Sequence, residues 1–434
     1  MKKDFLLIAA AATMLTACVN LDTLNDVDDY EAPGAIGFST FTSNQTKAEN
    51  SSATEVDPLE TYNTTFKVWG SKFIGETENR VFGIDNAGEI VSNDGSKWTY
   101  SPLRFWDKSA TSYSFYAAAP SGKSWVWNNA TKKLSLVDFE ITGYNSVTGT
   151  PATEVDDDKV LTENLDTEDL MISTDLTGYN TYTSAKVNLQ FNHILSRLNI
   201  GVRKATVLDA FDVKLNSIKV FNMKSNGTFN EALASGTDLS GGTIARWATA
   251  PTTQSTFTSG VKYEPSPALE ITSTATTEST NYQYVYEGLV IPQAVAYKQT
   301  VEVPTYAAAD AEAQAGMFKL DGSNATTTSD PYIVIDYEIW TKAIEATYYE
   351  AGDEIPDGMS VGDEKTPAVD AAKMDGYKYF YNLADAFNGE TTSAVSFYEG
   401  WQNTLKITLS PIAIEFDAEV YEWVPKTQTT VDIQ

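Results

Sequence analysis

The chain has 434 residues, of which 42% are hydrophobic and 12% aromatic, enough to bury one large core or two ordinary ones. Its 59 Asp and Glu against 30 Lys and Arg leave a net charge of -29, which argues against nucleic acid or an anionic lipid surface as a partner. Cys18 is the sole cysteine, so no intramolecular disulfide can form.

The elements begin at the first residue. Met1, Lys2 and Lys3 supply positive charge, and residues 5–17 form a short apolar core broken only by Thr13 and Thr16. A run of about 13 residues is too short to span a bilayer, which needs roughly 20. A basic start, a short apolar core and small residues before a cut describe a signal peptide over residues 1–17. Leu15-Thr16-Ala17-Cys18 resembles the lipobox of bacterial lipoproteins, in which the cysteine is diacylated and becomes the new N-terminus. The acyl chains on Cys18 are then the expected membrane attachment.

Residues 19–34, with Asp22, Asp26, Asp28, Asp29 and Glu31, read as an acidic tether. A first strand-like piece covers 35–41, and a polar loop rich in Ser, Thr, Asn and Glu covers 42–58. From there short β-branched or alternating runs succeed one another, at 65–69, 113–118, 186–191, 282–286, 332–339 and 405–409. Lys186-Val187-Asn188-Leu189-Gln190-Phe191 alternates with period two, the signal of a half-buried strand. Helical patterns are scarce, with short helices expected at 307–318 and 369–372, inside a long insertion at about 307–378. Gly, Asn and Ser-Thr clusters punctuate the runs. The pattern predicts an all-β chain of two β-sandwiches in tandem, 48–185 and 186–434.

The residues that could carry chemistry are few. His193 is the only histidine; as a catalytic base it would need a partner nucleophile and an orienting group, and it reads instead as a buried, hydrogen-bonded structural side chain. Ser121-Gly122 and Gly241-Gly242 form neither a nucleophile elbow nor a phosphate loop. The acidic runs 156–158 and 166–169 lack the spacing of an EF-hand and read as solvated loops. Carboxylates are too numerous to nominate a glycosidase pair. No catalytic residue, cofactor or metal ligand is therefore expected. Trp125 and Trp127, two apart on one strand face, either stack on a sugar ring or pack in a hairpin.

Several segments, taken in order, carry a family resemblance. They are Phe105-Trp106, then Tyr113-Ser114-Phe115-Tyr116-Ala117-Ala118-Ala119-Pro120, then Phe191-Asn192-His193-Ile194-Leu195-Ser196-Arg197-Leu198-Asn199-Ile200. Near the C-terminus follow residues 405–409, Ile412-Ala413-Ile414-Glu415-Phe416 and Val420-Tyr421-Glu422-Trp423. Each motif alone is weak; in this order behind a lipobox they carry a resemblance to the fimbrillin family, the class that builds type V pili in Bacteroidota. It implies two tandem transthyretin-like β-sandwiches, exported as a lipoprotein to the outer membrane and cell surface and assembled into a fimbria. It further implies that a trypsin-like protease cuts after the first strand, removing lipid and strand together, and that a strand of another subunit fills the groove. Here the removable strand would be 35–41, with Ile36 and Phe38 facing in. The cut would fall between Lys47 and Ala48, since Lys47 is the only basic residue between Cys18 and Lys67. The family often has Arg at that place. Ile412, Ile414, Phe416 and Val420 alternate as donor-strand candidates, or form the last strand of the second sandwich. The implied partners are other pilin subunits, the outer membrane through the lipid anchor, and a host or bacterial surface receptor or glycan. The alternative reading is a surface lipoprotein that binds glycans through exposed Trp125 and Trp127.

Overall fold

The computed structural model describes residues 34–42, 59, 63–141, 169–173, 176–179, 186–233, 244–249, 261–274, 282–295, 331–388, 395–411 and 414–422. In chain order the strands are β1 (Phe38–Thr42), β2 (Thr65–Ile74), β3 (Thr77–Phe82), β4 (Glu89–Asn93), β5 (Trp98–Thr99) and β6 (Ser112–Ala119). There follow β7 (Trp125–Asn128), β8 (Lys133–Glu140), β9 (Met171–Ser173), β10 (Leu176–Tyr179), β11 (Val187–His193), β12 (Ser196–Lys204) and β13 (Phe211–Phe221). Next come β14 (Asn226–Asn230), β15 (Trp247–Thr249), β16 (Lys262–Tyr263), β17 (Leu269–Glu270), β18 (Gln283–Val290), β19 (Gln293–Val295) and β20 (Tyr332–Thr341). The last are β21 (Thr347–Tyr348), β22 (Glu364–Thr366), β23 (Lys373–Asn382), helix α1 (Leu383–Asn388), β24 (Val395–Phe397), β25 (Trp401–Leu409) and β26 (Glu415–Glu422). The chain is all-β, as its punctuated alternation predicts.

The strands gather into two compact units. The first holds a nine-stranded sheet of order β1-β11-β9-β6-β2-β4-β5, with β10 and β3 joined to β6 and β2. Alternation sets its faces: Val187, Leu189 and Phe191 of β11 are fully buried, while Asn188 between them is exposed. β6, paired with β2 and with β9 and β10, is buried on both faces from Tyr113 to Ala119. Trp69 fixes the turn between β3 and β4. Gly83 and Gly88 both have positive φ there, and a Cβ on Gly83 would come within 2.6 Å of the indole. The Trp69 Nε1–H donates to the Asn86 carbonyl at 2.9 Å.

The second unit holds a four-stranded sheet, β18-β12-β25-β26, and a five-stranded one, β16-β13-β20-β23 with β17 on β13. Their inward side chains share one core, including Leu198, Ile200, Leu215, Ile335, Tyr337, Leu405 and Ile407. A further four-stranded sheet, β15-β14-β8-β7, belongs to this unit.

Three expectations meet a different arrangement. A single boundary at 185/186 does not describe the chain, which passes to the second unit at Lys123, returns at Ile172 and leaves again at Asn192. The cause is the β7–β8 hairpin, whose β8 pairs with β14 and whose Leu134, Leu136 and Phe139 are buried. β11, placed at the start of the second sandwich, pairs instead with β1. The insertion is also narrower than 307–378 on its C-terminal side, because β20 and β23 are core strands paired over their length. Between them residues 342–372 make an excursion carrying the small hairpin β21–β22. Val369 forms a bridge with Ile344 there, so 369–372 is not helical. The expected helix at 307–318 lies outside the described residues.

Candidate strand-exchange site

β1 is the terminal strand of the first sheet, and β11 is its one neighbour in the order. The two run parallel, with Phe38 opposite Val187 and Thr42 opposite Phe191. Parallel pairing between segments about 150 positions apart requires a long crossover, and here the chain between them supplies it. Ile36 and Phe38 are 1% and 3% exposed. The Phe38 ring meets Phe82 at 5.4 Å, Tyr100 at 5.8 Å, Phe66 at 5.9 Å and Phe115 at 6.2 Å, all in edge-on or steeply inclined geometry. Such aromatic pairs contribute about 0.5–1.5 kcal/mol each beyond their buried area.

The residues just before β1 are clamped as well. Ile36 N–H donates to the Arg104 carbonyl at 2.8 Å, and Trp106 N–H donates to the Gly34 carbonyl at 3.0 Å. Gly34 has φ +84°, a turn conformation that glycine adopts without strain. The Tyr100 hydroxyl donates to the Ile36 carbonyl at 2.7 Å and accepts from the Arg104 N–H at 3.2 Å. On β11 itself, Val187 N–H donates to the Gly37 carbonyl, and the Ser39 hydroxyl donates to the Asn188 side chain. A cleft beside β1 is lined by Ile36, Phe38, Lys97, Trp98, Leu103 and Lys186, among others. β5, which carries Trp98, ends the strand order opposite β1, so the sheet curls until its two ends face each other.

Tyr100 and the 104–106 clamp were not singled out from sequence for this role. Phe105-Trp106 stands out in the sequence only through its family resemblance; nothing local marks Tyr100, whose partner lies 64 positions away.

The other nominated residues fall as follows. Cys18, Lys47, Ala48 and Ile412 lie outside the described residues. Ile414 is 7% exposed and belongs to the core of the second unit, and Phe416 meets Tyr381 edge-on at 4.7 Å. Val420 lies in β26 opposite Asn403. β26 therefore closes its own sheet as the last strand, antiparallel to β25 and at an edge. Trp125 and Trp127 are each 4% exposed, and Trp125 packs edge-on against Phe229. Neither ring is presented to a sugar, which removes the basis for glycan binding through this pair. His193 Nδ1 is 2.6 Å from Asp169 Oδ2 with both side chains buried, a structural pair where β11 ends. The acidic runs are otherwise outside the described residues, and among the described residues no cluster of His, Cys, Asp and Glu could hold a metal ion.

The model of the fimbrillin-like family matches residues 46–423. No curated protein matches the chain. Among solved structures it is similar to a fimbrial protein from Bacteroides vulgatus, at 13% identity over 90% of this chain and 99% of that one, with a TM-score of 0.42. It is also similar to the tip fimbrial protein Mfa3 from Porphyromonas gingivalis with C-terminal truncation, at 9% identity over 83% and 94%, with a TM-score of 0.31. Both likenesses are weak, and the assignment rests on the family match. The chain belongs to the fimbrillin-like family, and is a fimbrial or adhesive subunit of the cell surface with a structural and not a catalytic role.

Proposed function

We propose that this subunit is exported as a lipoprotein acylated at Cys18, loses β1 by cleavage after Lys47, and then joins other pilin subunits by accepting a strand in the vacated groove. The observation that carries the reading is the placement of β1. It is a terminal strand with one neighbour, yet its segment brings two large apolar side chains into the core. Losing it would expose the unpaired backbone of β11 and an apolar groove, the substrate for strand addition. Burial of Ile36 and Phe38 stabilises the closed unit by roughly 1.5–3 kcal/mol each. That is enough to hold β1 before cleavage and small beside the rest of the core.

Limited trypsin digestion of the full chain tests it. The expected outcome is a first cut after Lys47, a core beginning at Ala48 by mass spectrometry, and concentration-dependent oligomers by size-exclusion chromatography with light scattering. A core that starts at Ala48 and stays monomeric at high concentration would overturn strand exchange. Acylation is checked separately: Cys18→Ala should abolish metabolic labelling with palmitate.

A further inference from the structure

Residues 342–372, between β20 and β23, carry eight carboxylates and two lysines, yet they do not form a plain solvated loop. Their backbone is laddered: Thr341 N–H donates to the Ala372 carbonyl at 2.9 Å, and Ile344 and Val369 exchange bonds of 2.8 and 2.9 Å. Beyond them β21 pairs with β22, and Gly362 N–H donates to the Tyr349 carbonyl at 2.8 Å. At the turns the Asp353 and Asp363 carboxylates accept from the Glu350 and Ser360 N–H groups at 3.2 and 2.7 Å. None of these residues is buried. Of the fourteen large apolar side chains that the described residues leave exposed, five are gathered here. They are Ile344, Tyr348, Met359, Val361 and Val369, each 46–59% exposed.

A two-stranded hairpin with no core beneath it is marginal in water, and apolar side chains gathered on an ordered surface mark a contact. Ile344 and Val369 are directly opposed and so share a face, and the Tyr348 ring shares one with the Glu364 carboxylate. Apolar groups are thus interleaved with negative charge. The two lysines are turned back onto the chain. Lys342 Nζ donates to the Asp209 carbonyl at 2.8 Å, and Lys365 Nζ lies 3.0 Å from Asp353 and over the Tyr349 ring. What the segment offers outward is apolar and acidic. We propose that residues 342–372 are a docking arm for a different protein, one whose surface sets Lys or Arg around an apolar depression. Opposite charge selects that partner and speeds its approach, and burial of the apolar side chains holds it. A second copy fits poorly, because arm against arm brings like charges together in a chain of net charge -29. The contact is independent of strand exchange, since β20 and β23, which carry the arm, belong to the second unit and β1 to the first.

The probes are short immobilised peptides of alternating Lys and Leu, of Lys and Ser, and of Glu and Leu, with the full chain in solution. The chain should bind the Lys-Leu peptide best, the Lys-Ser peptide about tenfold more weakly and the Glu-Leu peptide not measurably, and added salt should loosen the first two. Tyr348→Ser with Val361→Ser should cost about tenfold on the Lys-Leu peptide and nothing on the Lys-Ser peptide. Glu354→Gln with Glu364→Gln should cost about three- to fivefold on both and flatten the salt dependence. All four side chains are exposed, so the denaturant midpoint should stay where it is. Glu76→Gln with Glu140→Gln removes the same charge from exposed sites elsewhere and should change nothing. If that control weakens binding as much as Glu354→Gln with Glu364→Gln, bulk acidity explains the attraction and the arm is overturned. No binding of the Lys-Leu peptide, or equal binding by the Tyr348→Ser, Val361→Ser chain, would overturn it too. Dimers of the uncleaved chain in light scattering, dissolved by those two serines, would make the occupant a second copy and overturn the proposed partner. Strand exchange is read separately, as oligomers of the trypsin-cleaved chain, which the arm substitutions should leave unchanged.

Discussion

Two parallel strand pairs organise the two units, and they differ in what surrounds them. β1 and β11 pair over five positions at the end of a sheet, held by apolar burial of Ile36 and Phe38 from one side. β12 and β25 pair over eight positions, Arg197 with Gln402 through Lys204 with Leu409, and β18 and β26 flank them. The second pair also encloses charge. Arg197 is fully buried, ion-paired with Glu287 of β18, and its Nη1 donates to Gln402 Oε1 at 3.1 Å. Asn403 Nδ2 donates to the Ser196 hydroxyl at 2.9 Å and to the Arg197 carbonyl at 3.2 Å. Buried polar groups that must be matched tie three strands to one register. The exchange proposed above needs a terminal strand that apolar contacts fasten from one side. A central pair locked by an enclosed ion pair does not meet that need.

The sharpest way to break that contrast is Glu287→Ala. Removing the countercharge leaves the Arg197 charge enclosed in the sheet, and breaking a buried pair from one side costs about 3–5 kcal/mol. Denaturant unfolding should show that loss in the second unit. A loss below about 1 kcal/mol would mean the pair is not what locks β12 to β18.

A smaller effect sits where β25 begins. Glu399, in the turn before β25, pairs with Arg246, and Gly400 N–H donates to the Leu195 carbonyl at 2.8 Å. Burial pushes the Glu399 carboxyl up from 4.5 to about 7, although the Arg246 guanidinium beside it pulls the other way and Glu231 adds to the rise. The folded chain thus keeps this proton to a higher pH than the unfolded chain does. The resulting stability is complete below about pH 4.5 and is lost as pH rises through about 7. Across that window Glu399→Gln should flatten the pH dependence of unfolding by roughly 1–3 kcal/mol relative to the unaltered chain. Parallel stability–pH curves for the two proteins would refute the assignment.

How much of this was legible in the sequence follows from how local each signal is. Val187, Leu189 and Phe191 alternate within seven residues, so β11 could be read as a half-buried strand without knowing its partner. The partner itself, β1, lies about 150 positions upstream, and no local pattern reports it. The β7–β8 hairpin was misplaced for the same reason. Its alternation is plain, but its neighbour β14 is chosen by packing of Trp125 and Leu136 around Phe229 and Trp247, far along the chain. The expected insertion is wider than the observed one because Ala, Asp and Glu between two core strands dominate the composition of 342–375, hiding where β20 ends and β23 begins. Arg197 was visible as a charge in an apolar run. Its countercharge, ninety positions away on β18, was not.

The finest test of the contrast is Tyr100→Phe, which removes one oxygen from the clamp on β1. The ring can stay, keeping its contacts with Phe38 at 5.8 Å and Phe82 at 5.2 Å. What goes is the hydroxyl that donates to the Ile36 carbonyl and accepts from Arg104 N–H. A hydrogen bond of this kind contributes about 0.5–1.5 kcal/mol, and more if the carbonyl is left dry. Because β1 is terminal, that loss should appear as local opening of the segment and not as a weaker first unit. Hydrogen exchange at Ile36 and Trp106 should therefore speed up by about three- to tenfold while the denaturant midpoint moves little. The corresponding change in the central pair, Ser196→Ala, removes one of the two acceptors of Asn403 Nδ2 and should shift global unfolding instead. If Tyr100→Phe lowers the global midpoint as much as Ser196→Ala does, β1 unfolds with the rest of its unit. It would then not be the separable strand that exchange requires.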